Sequence, residues 1–251
     1  MAGHSHWANI KHQKKREDRR RAKIFTKLVR EITVAARQGG GDPEFNVQLR
    51  LAIDRAKDAN MPKENIERAI KRGTGELKGG ELERILYEAY APNGVGLLIQ
   101  VLTDNRNRTV AEIRRVLTKK GGNMAEAGAV MWQFDRKGYI AIAPNGEDAD
   151  AIFDVAVEAG AEDFVFSDDM IEIFAAPENF QEVIEALEAN GINSKSSELS
   201  MIPKNTLELG ELDTMRVMHV INALEDLDDV QQIYSNLDIS DDVMQKFEDE
   251  E

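Results

Sequence analysis

The 251-residue chain contains no cysteine. That excludes disulfides, thiolate-ligated metals and cysteine nucleophiles, and a reducing compartment is the natural setting. Aromatic residues are sparse, at 6% with two tryptophans. No apolar run approaches the roughly 18 residues that a membrane-spanning helix needs. The N-terminus lacks the apolar core of a secretory signal, and Glu17 and Asp18 sit poorly in an organelle-targeting helix. A soluble, cytoplasmic protein is therefore expected. Basic charge is nearly missing from one half: residues 138–251 hold 4 Lys or Arg against 29 Asp or Glu. A segment so acidic repels nucleic acid.

The missing cations are at the other end. The first thirty residues carry ten Lys or Arg against two acids, although the whole chain is at −14. Such asymmetry points to a polyanionic partner for the basic end. Lys11, Lys14, Lys15, Arg16, Arg19, Arg20 and Arg21 are the candidate phosphate contacts, continued by Lys23 and Lys27. Trp7 offers a face on which a base can stack, and His4, His6 and His12 add donors. With Met1 removed, Ala2-Gly3-His4 would chelate Cu(II) or Ni(II), a capacity expected to be adventitious; no metal or other cofactor is expected.

From about residue 18 the spacing predicts a helix with Ile24, Leu28, Ile32 and Ala35 on one stripe, closed by Gly39-Gly40-Gly41. Asp42 and Pro43 read as N-cap and first residue of a second helix with Phe45, Leu49, Ala52, Ile53 and Ala56 inward. A third follows Met61-Pro62, with Ile66, Ala69 and Ile70, and ends at Gly73. Beyond a Gly-rich linker the apolar period becomes two. Strands are expected at 85–92 and 95–103 around an Asn93-Gly94 turn, then a helix over 107–120, a strand over 128–134, a hairpin step at Asp135–Gly138 and a strand over 139–143. The remainder reads helix, strand, strand, helix, strand. From residue 139 this is βαββαβ, the ferredoxin-like arrangement. One helix and one strand (213–224, 230–237) are left to complete the unit begun near residue 82.

The fold class expected is α+β: an N-terminal three-helix domain, then two α+β domains, one inserted in the other. The expected boundaries are 1–78, 79–137 with 206–238, an inserted 138–205, and an acidic, frayed tail over 239–251. A second basic site is expected where TDNRNRT (103–109) leads into a helix. Arg106 and Arg108 lie at that helix's N-terminus, which favours anions, and Arg115 and Lys119 extend the same face. No GxGxxG or GxxxxGK[ST] spacing occurs and His219 reads as an ordinary histidine, so no small-molecule substrate is evident and an enzyme is not expected.

The stretch GHSHWANIKHQKKREDRRRAKIFTKLVREITVAARQGGGDPEFNVQLRLAIDRAKDANMPKENIERAIKRGTG, followed by YEAYAPNGVG, LTDNRNRT, KKGGN and FDRKG, resembles the YebC/PmpR family, whose relatives include the mitochondrial translational activator of cytochrome oxidase. The resemblance covers the chain to about residue 138. It implies a helical domain with two α+β domains, and DNA-binding transcriptional regulation as the usual bacterial role. For some members it implies a ribosome-associated factor that eases translation of proline-rich stretches. Ala89 stands where the family often has Gly, in an expected turn, and Met124-Ala125-Glu126 departs from the usual Leu-Gly-Glu. The residues themselves leave DNA, ribosomal RNA and a basic protein docked on the acidic half open as partners. No helix-turn-helix spacing is evident, and a basic arm with one Trp also suits irregular RNA.

Overall fold

A computed structural model of the protein describes residues 21–77, 82–143, 149–167 and 170–250. The expected contacts at His4, His6, Trp7, Lys11, His12, Lys14, Lys15, Arg16, Arg19 and Arg20, and the Ala2-Gly3-His4 chelate, lie outside them.

Three helices open the described chain: α1 (Arg21–Gly39), α2 (Val47–Asp58) and α3 (Lys63–Gly73). The apolar stripes meet as their spacing requires, with Leu28, Ile32 and Ala35 packed on Leu49, Ala52, Ile53, Ala56, Ile66 and Ala69. Gly73, at the end of α3, lies directly against the backbone of α1. A Cβ there would lie 2.4 Å from the Thr33 carbonyl oxygen. The second helix starts four residues later than Asp42-Pro43 suggests. Asp42 instead accepts from the Glu44 amide (2.9 Å) in an Asx turn. The N-cap is Asn46, which accepts from the Leu49 amide at 3.1 Å and donates to the Ala35 and Gly40 carbonyls. Phe45 therefore falls in the turn and is 88% exposed, not inward.

The chain continues through β1 (Glu83–Tyr90), β2 (Gly96–Thr103), α4 (Arg106–Lys119), β3 (Asn123–Met124) and β4 (Phe134–Ile142). Next come α5 (Ala149–Glu158), β5 (Ala161–Phe166), β6 (Ile171–Ala175), α6 (Phe180–Ala189) and β7 (Ser196–Pro203). Last are β8 (Leu207–Glu208), α7 (Glu211–Glu225), β9 (Val230–Ser235), β10 (Leu237–Asp238) and α8 (Asp241–Glu250). Two four-stranded sheets result, ordered β3-β1-β2-β9 and β5-β6-β4-β7. Every pairing in the second is antiparallel, so with α5 and α6 it is the ferredoxin-like βαββαβ. The first α+β domain is interrupted by the second and resumes with α7 and β9. The described residues divide into two compact units: the helices with the chain to Val130 and Met215–Ile233, and Met131–Thr214 with the described chain from Tyr234 onward.

The segment 128–133 is not the expected strand. Side chains hold three of its backbone groups instead: Glu88 accepts from Gly128 (2.6 Å) and Val130 (2.5 Å), and the Tyr90 hydroxyl donates to the Ala129 carbonyl. A 3-10 turn over Met131–Gln133 follows. Nor is Asp135–Gly138 a hairpin step, since β4 runs through it and pairs continuously with β7 from Phe134 to Ala141. Gly138 is required there by Phe180, whose Cδ2 would lie 2.4 Å from an added Cβ. Ala89 is not in a turn either. It is a fully buried strand residue between Leu97 and Met124.

The acidic C-terminus forms α8 where fraying was expected. Asp241 and Asp242 occupy its first turn, where carboxylates complement the helix dipole, and Val243, Met244 and Phe247 face inward on one stripe. Phe247 is completely buried. Phe247→Ala is expected to destabilise this unit by about 3–5 kcal/mol in urea unfolding. A loss below roughly 0.5 kcal/mol, typical of surface positions, would mean that the helix does not pack.

Candidate nucleic-acid interface

The turn from β2 into α4 is built by short polar side chains. Asn105 caps the helix, accepting from the Arg108 amide at 3.1 Å, while its own amide donates to the Thr103 hydroxyl at 2.9 Å. Thr109, one turn into α4, brings its hydroxyl within 2.8 Å of Thr103. These groups surround Asp229, whose side chain is 2% exposed at the start of β9. Its Oδ2 receives the Thr103 hydroxyl (3.0 Å) and lies 2.6 Å from that of Thr109. Arg108 Nη2 donates to both carboxylate oxygens, at 2.8 and 3.1 Å. Arg30, from α1, donates through Nη1 to Asp229 Oδ1 (2.5 Å) and to the Asp228 carbonyl (2.7 Å).

An anion thus sits at the N-terminal turn of α4, as the sequence suggests, but it is the protein's own carboxylate. Burial pushes the Asp229 pKa up. The Thr109 hydroxyl, the Arg108 guanidinium, the Arg30 charge and the Thr103 hydroxyl together outweigh it and hold the carboxyl below its usual range. One carboxylate therefore ties the basic helix α1 to α4.

The structure brings together only part of the expected basic set. Arg108 divides its guanidinium between Asp229 and Asp104. Arg106 pairs with Glu83 and stays largely exposed. Lys27 donates to the carbonyl of Glu225 (3.1 Å), the last residue of α7, as a cation at a helix C-terminus does. Arg21 and Lys23 lie within α1. Arg115 and Lys119 are exposed on α4 beside Arg114 and Lys120, and none of the four has an ion pair among the described residues. Arg30 and Asp229 were not foreseen as site residues. Thr103 and Thr109, which begin and end the TDNRNRT run, are the sequence signal for the cluster. The partner carboxylate is 120 residues from Thr109 and carries no such mark.

A second buried carboxyl lies in the other unit. Glu172 on β6 is 1% exposed and accepts from the Tyr139 hydroxyl at 2.8 Å. Burial pushes its pKa up to about 7, against the smaller downward pull of that hydrogen bond. Between 4.5 and about 7 the folded protein keeps a proton that the unfolded chain has released, so stability falls as pH rises through this window and levels off above it. The slope sums to at most about 3 kcal/mol. Glu172→Gln is expected to flatten it when urea midpoints are compared across the window, and an unchanged slope would refute the assignment. Among the described residues no cluster of three or more His, Asp or Glu is arranged to hold a metal, and no helix is long and apolar enough to cross a membrane.

Residues 5–76 match the family described as the TACO1/YebC protein N-terminal domain, and residues 82–237 match the TACO1/YebC second and third domain. A curated relative from Halothermothrix orenii, named a probable transcriptional regulatory protein, is 52% identical over 253 residues and covers 100% of both chains. One of the same name from Trichlorobacter lovleyi is 52% identical, covering 98% of this chain and 99% of its own. The crystal structure of a conserved hypothetical protein from Aquifex aeolicus superposes with a TM-score of 0.83 at 47% identity, covering 94% of this chain and 98% of that one.

Proposed function

This chain belongs to the TACO1/YebC family, and on that premise we propose that it is a DNA-binding regulator of transcription. Its relatives' names supply the process. The observation that carries nucleic-acid binding is the exposed row Arg114, Arg115, Lys119 and Lys120, without an ion pair among the described residues and fixed through Asp229 to a helix that continues the basic N-terminal run. In a chain of net charge −14, such a row is not needed for solubility. Phosphates contact residues 11–23 and the α4 row. Arg106 and Arg108 act first as clamps on Glu83 and Asp229 and lend their exposed edges to the same face. No catalytic step is assigned.

Arg115→Glu with Lys119→Glu is expected to weaken binding to a duplex roughly a hundredfold at low salt, because two phosphate contacts become repulsions. Fluorescence anisotropy on a particular duplex against random competitor measures this. An unchanged affinity would remove α4 from the interface. Salt-sensitive comigration with ribosomal particles, lost after nuclease treatment and without any selective duplex binding, would replace the transcriptional reading with a translational one.

A further inference from the structure

We infer that the acidic unit docks a basic, amphipathic segment of a partner protein on an aromatic patch formed by α5 and the edge strand β5. Phe153, Val157 and Phe166 are 40%, 44% and 48% exposed; the two rings gather around the half-buried Phe164, and Val157 lies one turn along α5 from Phe153. The ring centroid of Phe153 lies 4.7 Å from that of Phe164 and 6.4 Å from that of Phe166. Phe164 and Phe166 are nearly parallel, 6.2 Å apart. The patch follows from two periods at once. Residues 150, 153, 154 and 157 form one stripe of α5, while 164 and 166 project from one face of β5. Isolated exposed apolar residues need no explanation, but two exposed rings converging on a third, with a valine on the same helical stripe, mark an interaction surface. Among the described residues no strand lies outside β5, which is the edge of its sheet.

Charge selects the occupant. Asp150, Asp154 and Glu158 on α5 are exposed beside the ring of Phe153 on the same side of the helix. The surrounding chain, residues 138–251, holds 29 acids and 4 bases. A second copy would bring like charge against like, and nucleic acid would be repelled. A segment that alternates apolar anchors with Lys or Arg satisfies both elements. Its apolar side chains cover the rings, its cations meet the carboxylates, and a cation over the face of Phe166 gains a further attraction.

The test uses the full-length protein and a fluorescent peptide of about ten residues that alternates Lys or Arg with Leu or Phe. A control peptide keeps the cations and replaces the apolar residues by Ser. The apolar peptide is expected to bind at least roughly tenfold more tightly than the control, and Phe153→Ser with Phe166→Ser should remove that advantage. Asp154→Lys with Glu158→Lys, surface changes that leave the core untouched, should weaken binding roughly tenfold at low salt and less at high salt. Equal binding of both peptides, or unchanged binding by either pair of variants, overturns the proposal. So does a wild-type dimer in sedimentation that Phe166→Ser dissolves, which would make a second copy the occupant. A large gain in peptide affinity on replacing Lys14, Lys15 and Arg16 by Ala would make it the chain's own basic arm, with the same consequence.

Discussion

Asp229→Ala is expected to destabilise the unit that holds the helical domain by about 2–4 kcal/mol, since removing one partner of a buried ion pair strands the other. Here two partners are stranded. Arg30 loses its carboxylate while its side chain is 20% exposed, and Arg108, at 43%, can turn to water or to Asp104. The Thr103 and Thr109 hydroxyls lose their common acceptor, which adds a desolvation cost. Asp229→Asn should be milder, because the amide oxygen still accepts from a hydroxyl. The dependence on acid follows from a lowered folded-state pKa. Asp229 contributes stability above its ordinary value near 3.8, and the contribution is lost as pH falls through the lower value of the folded protein. The gap between wild type and Asp229→Ala in urea midpoint should therefore be full at neutral pH and close in strong acid. A variant as stable as wild type at neutral pH would sink the idea that this carboxylate joins α1 to α4.

Replacing Lys14, Lys15, Arg16, Arg19, Arg20 and Arg21 by Ala should weaken nucleic-acid binding at least roughly a thousandfold at 50 mM salt, leaving only the residual contact of the α4 row. If all six contact phosphates, the wild-type affinity should drop roughly a thousandfold between 50 and 200 mM salt, and the variant should lose about five units from the slope of log affinity against log salt. The urea midpoint should stay where it is, which separates this variant from Asp229→Ala: one loses the ligand, the other the scaffold. Binding retained by the six-alanine chain with an unchanged salt slope would exclude the arm and leave the α4 row as the contact.

The two kinds of basic residue were not equally legible in the sequence. Arg115 and Lys119 could be placed correctly because helical periodicity alone puts them opposite Ile113 and Leu117, which are fully buried. Arg108 has the same spacing, yet its guanidinium is engaged by a residue 121 positions away. Lys27 is similar, lying off the apolar stripe of α1 but placed against the end of α7. Position on a face is a local property; having a partner is not.

The same division holds for the fold. Apolar period, turn residues and charge runs determined by themselves the three helices, the ferredoxin-like order and the separation of a basic from an acidic half, because each rests on neighbours within a turn or a strand. The helix at 241–250 was also written locally, in Val243, Met244 and Phe247, beneath a surface charge that suggested fraying. Tertiary structure alone decided the rest. Glu88 captured the amides of Gly128 and Val130 and kept them out of a sheet, Phe180 required a glycine at 138 within a continuous strand, and Asp229 filled the anion position at α4. In each case a side chain distant in sequence satisfied or crowded a backbone group or charge whose local preference was otherwise, and a buried polar group takes the partner that the fold delivers.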